Sequence, residues 1–512
     1  MTNAAPVEIN VEDGHPRRWL ILGVLVVSLV VVVLDNTVLN VAMKTLADPN
    51  VGLGASQSQL AWMINAYTLV FAGLLFAMGV IGDRVGRRRL LLIGLVVFGA
   101  SSLFAAYSDT PGQLIAFRAL KGAGAAMMMP STLSLLRTVF SDREFGKALG
   151  IWTGAVGIGS AIGPIVGGAL LERFWWGSVF LINVPIAIFG FVMILVLAPE
   201  SKGRQGRPDL VGMVLSVVGL MLLTFGIIEA GDSGVWVSAT VLVPLLTGVA
   251  TLVGFVWWER RTPHASLDMA LFRNRRFSAS AAIIGLVFFG MMGLFFFMTF
   301  YIQIVRGHSP LEAGLLFLPI GLAMLVFAPM SSTLVLRFGA RPVGLAAMFL
   351  VIGGFTVVTR LDAETPLFVM IALFFIQGIG MANLMPPAMN ALMSSVPREQ
   401  SGVASALSNT LRQVGGSFGV AVLGTVMAQS YRSRITEAAP IVPDQARDSI
   451  ASTYALVERG ILPDSVMEAA NQAFVEAMHV AATTAIGVAL VGLLVIWRYF
   501  PTKQDVIEVE DR

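Results

Sequence analysis

The chain has 512 residues, of which 56% are hydrophobic and only 13% are charged, and its mean hydropathy is +0.80. Soluble proteins carry about 25% charged residues, so this composition excludes a soluble globular chain. The lack of cysteine excludes disulfides, thiolate metal sites and a cysteine nucleophile, and basic loops facing anionic lipid explain the pI of about 9.3 without a nucleic-acid partner.

Fourteen apolar runs are long enough to cross a hydrocarbon core of about 30 Å, which takes about 20 residues of helix. They predict an all-α polytopic membrane protein with spans near 18–40, 59–81, 90–107, 112–132, 146–170, 178–198, 210–229, 237–258, 277–303, 313–336, 342–360, 366–391, 402–427 and 476–497. If the N-terminus is cytoplasmic, 23 of the 34 Lys and Arg residues lie on the cytoplasmic side and 8 on the outer side. This bias follows the positive-inside rule, and an even number of spans returns the C-terminus to the cytoplasm.

The two parts of the chain resemble each other weakly. "KGAGAAMMMP" at 121–130 aligns with "QGIGMANLMP" at 377–386, which predicts two homologous six-helix bundles with two extra transmembrane helices between them. The predicted units are the cytoplasmic tails 1–17 and 499–512, the bundles 18–198 and 277–498, the linker 199–276 and the outer loop 429–472. Substrate paths in such repeats lie between the halves, which rock about them. Transport is therefore favoured over a duplicated channel or a membrane enzyme.

The sequence indicates neither ATP-driven transport nor a metal, cofactor or catalytic site. The sequence has no G-x-x-x-x-G-K-[ST] phosphate loop and no polar segment long enough for an ATPase domain. It also has no HExxH pattern, clustered nucleophile or acid pair. We therefore expect no metal, no cofactor and no enzymatic activity, and we expect any transport to be driven by an ion gradient.

The first span places an acid in the apolar run "LVVVVLDNTVLN" at 29–40. With Trp19 as the inner anchor, a rise of 1.5 Å per residue puts Asp35 about 24 Å deep, about 6 Å short of the outer edge of the core. The fourth span runs inward from the outer side and places Arg118 about 8 Å below the outer surface of the core. The two charges therefore lie at similar depth and can pair. A charge without a partner costs at least ~2.5–3.5 kcal/mol in lipid. We interpret the pair as a proton-coupling site; structural pairing, or an aspartate hydrated near the outer mouth, is the alternative.

The loop "GVIGDRVGRRRLLL" at 79–92 joins spans 2 and 3. Its arginines alone would keep a short loop inside, but that does not explain Asp83 or the paired glycines, which permit a sharp turn. The loop matches the signature G-x-[LI]-x-D-R-x-G-R-[KR] and resembles the major facilitator superfamily. The resemblance implies a gating loop that latches the cytoplasmic side in the outward-facing state, formed by Gly82, Asp83, Arg84, Gly86, Arg87 and Arg88. The second-half copy has Leu336 in place of the acid.

Span 5 contains "GIGSAIGPIVGG" at 157–168, whose glycines at every fourth position form a flat face for close helix packing. Tight packing alone would explain this face. The stretch also resembles the motif g-x-x-x-G-P-x-x-G-G of the superfamily's drug:proton antiporters. The matching residues are Gly159, Gly163, Pro164, Gly167 and Gly168.

Further stretches resemble the fourteen-helix branch of these antiporters. They are "LDNTVLNVA" at 34–42, "LIAFRALKGAGAA" at 114–126, "FLINVPI" at 180–186 and "LRQVGGSFG" at 411–419. The second of these implies a role in proton transfer for Arg118, but Lys121 stands where the family usually has glutamine. The resemblance covers nearly the whole chain except the tails and the outer loop.

The substrate is expected in a cavity between the halves. Its candidate polar residues are Asn65, Tyr67, Lys121, Gln377, Asn383 and Arg412. Three bases inside spans against one clearly buried acid weaken a preference for cations alone and leave neutral, zwitterionic or anionic substrates open. Lys121 is also a second candidate for the group that binds the proton.

These features together predict a fourteen-helix antiporter that exports small lipophilic drugs or antibiotics in exchange for protons, by alternating access. We expect it to function as a monomer in the lipid bilayer of a prokaryotic cell membrane. One alternative is a dedicated exporter of a single endogenous metabolite, lipid or siderophore. Another is a transporter-like sensor that binds its ligand without moving it.

Overall fold

The structure is a computed structural model, and it describes residues 14–47, 51–55, 57–202, 209–233, 235–262, 267–397, 401–440, 442–443, 447 and 449–500. These residues are helical with short connections. Sixteen α-helices are described: α1 (Arg18–Ala47), α2 (Gln57–Val85), α3 (Arg87–Ala106), α4 (Pro111–Val139), α5 (Asp142–Arg173), α6 (Ser178–Leu181), α7 (Asn183–Leu197), α8 (Leu210–Ser233), α9 (Ala239–Glu259), α10 (Arg275–Phe300), α11 (Pro310–Phe338), α12 (Ala340–Val358), α13 (Leu367–Ser394), α14 (Ser401–Ala438), α15 (Ile450–Glu458) and α16 (Ser465–Tyr499). A 3₁₀ turn at Met269–Arg273 precedes α10, and a π-helical turn at Tyr301–Val305 extends it.

The predicted all-helical membrane fold is confirmed. Twelve segments of the described chain are long and apolar enough to cross a membrane, and α6 and α7 together form one of them. The helices α4 and α5, with 29 and 32 residues, are as long but more polar in composition. Each of the fourteen predicted spans lies on one of these helices. The predicted tails lie largely outside the described residues, and the unit boundaries stay a prediction.

The helix ends follow ordinary capping chemistry. Thr110 accepts a hydrogen bond from the Gln113 backbone N–H before a proline opens α4. Ser309 and Glu312 form a capping box at the start of α11. Gly339 separates α11 from α12 with φ at 90°, a conformation that glycine adopts without strain. The apolar runs become helices because every backbone group in lipid must be bonded within its own segment.

The helices form two bundles that meet along glycine-lined faces. Helices α1–α7 pack on one another as the N bundle, and α10–α14 pack with α16 as the C bundle. Where α5 crosses α11, a Cβ at Gly150 would lie 2.6 Å from the Ala328 carbonyl oxygen. Where α2 crosses α14, a Cβ at Gly79 would lie 2.6 Å from the Gly402 carbonyl oxygen. Such close approach of backbones needs residues without side chains.

The extra helices α8 and α9 lie beside this meeting line. Helix α8 packs on both α2 and α14, so it touches both bundles. Met221 of α8 fills the space beside Gly73 of α2. Just beyond α8, the Trp236 Nε1 donates a hydrogen bond of 2.9 Å to the Thr425 hydroxyl of α14. The linker pair therefore covers one side of the seam between the bundles.

Helices α14 and α16 are longer than a bilayer requires. With 38 and 35 residues they span roughly 57 and 52 Å at 1.5 Å per residue, against a core of about 30 Å. Within the predicted outer loop 429–472, α14 continues to Ala438, α15 follows, and α16 begins at Ser465. A hydrogen bond of 2.7 Å between the buried hydroxyls of Tyr431 and Thr453 joins α14 to α15. The last part of the predicted outer loop, from Ser465 on, thus belongs to the helix of the final candidate membrane span.

Candidate functional site

Asp35 lies at the centre of a buried cluster of charges in the N bundle. Its carboxylate binds Arg118 Nη1 at 2.5 Å through Oδ2 and Lys121 Nζ at 2.5 Å through Oδ1. Asn183, the first residue of α7, donates its side-chain amide to Oδ1 at 2.9 Å. All three charged side chains are at most 1% exposed. Arg118 and Lys121 reach the same carboxylate because residues three apart share one face of a helix.

Aromatic rings and a carbonyl fix the two bases in place. Arg118 Nε donates a hydrogen bond of 2.9 Å to the Met63 carbonyl oxygen, and its guanidinium lies 4.5 Å from the ring centroid of Tyr67. Lys121 Nζ lies 5.1 and 4.9 Å from the ring centroids of Phe98 and Phe180. Cations over aromatic faces are stabilised by the ring quadrupole. The cluster is therefore pre-organised and shielded from lipid.

The cluster holds one acid and two bases. With all three groups ionised it carries one net positive charge. A proton added to Asp35 would leave two cations without an anion, whereas a proton lost from Lys121 would leave a neutral ion pair. The geometry brings together the predicted pair Asp35 and Arg118, and it places Lys121, predicted both for the substrate cavity and as a second proton-binding group, in the same cluster. Asn183 was not predicted, although its amide within the apolar "FLINVPI" was an available signal.

The glycine motif of α5 packs against the turn of α1 that carries Asp35. Gly159 lies beside Val33, Gly163 beside Thr37, and Gly167 beside Val38. These glycines support the position of Asp35 because Thr37 is only two residues further along α1. Of the other two motif residues, Gly168 has open space beside it: a Cβ added there would have no heavy atom of another described residue within 4 Å. Pro164 is within α5, and its side chain lies outside the described part of the structure.

Gly163 and Gly168 form a matched pair for testing this packing. A Cβ at Gly163 would overlap the Thr37 hydroxyl and lie 2.7 Å from the Thr37 Cβ, whereas Gly168 has open space. We expect Gly163→Ala to lower the free energy of unfolding by about 1–3 kcal/mol, as overpacking does, and to slow export. Gly168→Ala should leave both unchanged, as judged by thermal unfolding in detergent and by dye export. Equal effects of the two substitutions would contradict the packing role.

The gating loop holds the two bundles together at the side where α1 begins, which we name the terminal side. Arg87 Nε donates to Asp83 Oδ1 at 2.8 Å, and Arg87 Nη1 donates to the Thr138 hydroxyl at 2.8 Å. The Asp83 carboxylate also accepts the backbone N–H groups of Gly402 at 3.1 Å and Val403 at 3.2 Å. These amides are at the first turn of α14, where N–H groups lack helical partners and the helix dipole favours an anion. We name this contact the Asp83 latch.

The rest of the gating loop is bound by Glu200, which lies just beyond α7. Gly86 has φ at 125°, and a Cβ there would lie 2.7 Å from a carboxylate oxygen of Glu200. The Arg88 backbone N–H donates to the same carboxylate at 3.2 Å. Gly82 is buried and Arg84 is half-buried at the end of α2. Glu200 was not predicted, because it follows α7 and is more than 100 residues away in the sequence.

A small cavity lies between the bundles. It has room for about 20 Å³, about the space that one water molecule needs. Four helices of the C bundle and α5 of the N bundle line it, through Trp152, Thr153, Phe288, Met291, Met324, Met381, Met385, Met389 and Arg412. Of the six candidate cavity residues in the sequence, Arg412 is therefore the one that the described lining contains.

The other five candidates lie elsewhere. Tyr67 and Lys121 belong to the Asp35 cluster. Gln377 donates its amide to the Val351 carbonyl oxygen at 3.3 Å, and Asn383 donates to the Ile379 carbonyl oxygen of its own helix at 3.0 Å. Asn65 is half-buried in α2. The three lining methionines of α13 were not predicted, although they recur every fourth residue and so share one helix face.

The chain is similar to one protein family and to several known resistance and efflux proteins. The family model described as Major Facilitator Superfamily matches residues 25–420. The methyl viologen resistance protein SmvA of Salmonella typhimurium is 33% identical, with 94% of this chain and 98% of that protein covered. The multidrug efflux pump LfrA of Mycolicibacterium smegmatis is 35% identical, with 86% and 87% covered. The puromycin resistance protein pur8 of Streptomyces alboniger is 36% identical, with 83% and 85% covered.

A solved structure matches over nearly its whole length. The crystal structure of the human organic anion transporter MFSD10 has a TM-score of 0.64, with 94% of this chain and 100% of that chain covered. The sequence identity is 14%, so this likeness concerns the fold alone.

Proposed function

The chain belongs to the major facilitator superfamily, and we propose that it exports small lipophilic drugs or antibiotics in exchange for protons, by alternating access. The observation that carries the proposal is the buried Asp35 bound by Arg118 and Lys121 beside a glycine motif typical of drug:proton antiporters. The names of its relatives, a multidrug efflux pump and two resistance proteins, support the same conclusion.

The protein is a multi-span membrane protein, and we place it in a bacterial inner membrane with both termini in the cytoplasm. The excess of Lys and Arg on that side supports this orientation. The terminal side is then cytoplasmic, and the Asp83 latch closes the transporter toward the cytoplasm. In this conformation, substrate would leave toward the outer side of the membrane.

Helix α5 connects the proton site to the moving interface. Its outer glycines pack on α1 beside Asp35, and its inner ones, Gly150 and Gly154, pack on α11 of the C bundle. Protonation of Asp35 would weaken its bonds to both bases and relax the contact between α1 and α4. A small shift of α1 would then reach the bundle interface through α5. Close-packed helices transmit such shifts because their interfaces adopt discrete arrangements.

Lys121 is the alternative proton carrier within the same cluster. Its deprotonated form leaves Asp35 and Arg118 as a neutral pair, so the cluster without this proton carries no net charge. Its ammonium is bound to Asp35 at 2.5 Å, so either group could pass a proton to the other. The two carriers predict different effects of substitution at position 121.

One proton per cycle supplies enough energy for export. A proton-motive force on the order of 150 mV gives about 3.5 kcal/mol per proton, at about 2.3 kcal/mol per 100 mV. At about 1.4 kcal/mol per tenfold ratio, this sustains a substrate gradient of a few hundredfold. A gradient of that size would protect a cell from a toxic compound.

Purified protein in liposomes with an imposed pH gradient tests the function directly. We expect ethidium, or a neutral or acidic dye measured in parallel, to move against its gradient and to stop moving when a protonophore is added. Movement of a single endogenous compound and of no drug would favour a dedicated exporter. Binding without movement of any dye would overturn export and favour a ligand sensor.

A further inference from the structure

We propose that Arg412 is the polar anchor of the export site and that it selects flat aromatic substrates carrying an anionic oxygen, such as a carboxylate or an enolate. The proposal rests on the proposed function, because it takes the cavity between the bundles as the place where substrate binds. Arg412 is ten residues beyond Gly402 of the Asp83 latch, about 15 Å along α14. It therefore lies well inside the membrane, at the boundary between the bundles.

The guanidinium of Arg412 is a charge without a counter-ion. It lies 4.5 Å from the ring centroid of Phe288 and 5.9 Å from that of Trp152. Among the described residues, neither a hydrogen bond nor an ion pair reaches it. A guanidinium has five N–H donors, and an unpaired charge inside a membrane is expensive and usually functional. These donors are therefore free to bind a ligand.

Two neighbours in the lining also carry polar atoms without partners. The indole Nε1 of Trp152 and the hydroxyl of Thr153 are buried and have no hydrogen-bond partner in the described structure. Buried polar groups in native proteins are normally satisfied, and each exception calls for an explanation. Three unsatisfied polar groups at one small cavity are explained by a ligand that carries hydrogen-bond acceptors.

The charge of the cavity favours an anion. Arg412 is the one charged side chain in its described lining. The buried acids that would attract a cation already have partners, since Asp35 binds two bases and Asp83 binds Arg87 and the start of α14. A carboxylate would form a bidentate pair with the guanidinium, the strongest type of charge-assisted hydrogen bonding.

The apolar part of the lining favours an aromatic ring. Five methionines from α10, α11 and α13 surround the cavity. Methionine has flexible torsions and a polarisable sulfur, so its side chains can move aside and repack around a ring. Trp152 and Phe288 supply aromatic faces beside the guanidinium. A cavity of about 20 Å³ is too small for an aromatic ring, so it must widen when the substrate binds. Its flexible methionine walls are suited to this change.

Binding of three related probes tests this inference. Pyrenecarboxylate, pyrenemethanol and pyrenemethylamine share one ring system and differ in charge. Each is titrated into the protein in nanodiscs, with energy transfer from tryptophan to pyrene as the signal and empty nanodiscs as the blank. We expect the wild-type protein to bind the carboxylate at least tenfold more tightly than the amine. Arg412→Gln should weaken carboxylate binding at least tenfold without weakening amine binding, and Arg412→Lys should lie between.

Two outcomes would overturn the anchor. The first is a wild-type protein that binds the amine as tightly as the carboxylate, a result that needs no variant. The second is an equal loss of all three probes in Arg412→Gln, which would indicate a packing role. Dye export in a pH gradient separates this inference from the proposed function. Export by wild type without acid selectivity would leave the function standing and the anchor wrong. Acid selectivity without movement of any dye or pyrene probe would leave the anchor standing and the function wrong.

Discussion

Asp35→Asn is expected to reduce proton-driven export to the background of empty liposomes and to destabilise the protein. The substitution leaves Arg118 and Lys121 buried without an anion, and an asparagine amide would face the donors of both bases. Removal of one partner from a buried ion pair costs about 3–5 kcal/mol. Export is measured as protonophore-sensitive dye movement, and stability as the midpoint of thermal unfolding in detergent.

Substitutions at position 121 separate loss of the proton site from loss of stability. Lys121→Gln keeps the neutral pair of Asp35 and Arg118, so we expect it to fold and to keep proton-driven export. The double variant with Asp35→Asn and Lys121→Gln has a single buried cation and should regain part of the lost stability while still failing to export. If Lys121→Gln folds normally but loses proton coupling, Lys121 is the carrier. Full export by Asp35→Asn would remove the whole cluster from the mechanism.

The depth of the buried charges was predictable from the sequence, but their orientation around the helix axis was harder to predict. A fixed rise per residue and a fixed membrane thickness place Asp35 and Arg118 at one level, and the structure has them in contact. The same reasoning left Lys121 in the substrate cavity. Its spacing of three residues from Arg118, which puts both on one helix face, was the signal for its position beside Asp35.

Contacts between distant segments were beyond sequence reasoning. Asn183 reaches Asp35 from a helix that begins 148 residues later, and the Asp83 latch joins residues 319 and 320 apart. Motifs identified the gating loop and the glycine face, because each is local and has a regular spacing. They did not identify the first turn of α14 as the partner of Asp83, since backbone amides leave no mark in a sequence.

Gly402→Ala is expected to open the Asp83 latch and to shift the protein toward the state open at the terminal side. A Cβ at Gly402 would overlap the Asp83 carboxylate, with Oδ2 only 2.6 Å away, so the carboxylate must leave the amides of α14. The chain has no native cysteine, so a single Ser405→Cys reporter has no background. Ser405 is fully buried and donates to the Pro130 carbonyl oxygen of the N bundle at 3.1 Å. We expect a membrane-impermeant thiol reagent to label this reporter at least tenfold faster in Gly402→Ala, while export slows.

A glycine elsewhere on α14 provides the control. A Cβ added at Gly424 would lie 3.4 Å from a ring carbon of Phe296, its nearest neighbour, which is ordinary van der Waals contact. The Ser405→Cys reporter should therefore be labelled at the same rate with Gly424→Ala as in the parent. An exposed reporter on the terminal side, Ser394→Cys at the end of α13, should label equally in all backgrounds and so measures reagent access. Asp83→Ala removes the same contact from the other side and should reproduce the faster labelling. If both latch variants label at the parent rate, the contact between Asp83 and α14 contributes little to closure, and the glycine-lined crossing of α5 and α11 must hold the bundles together instead.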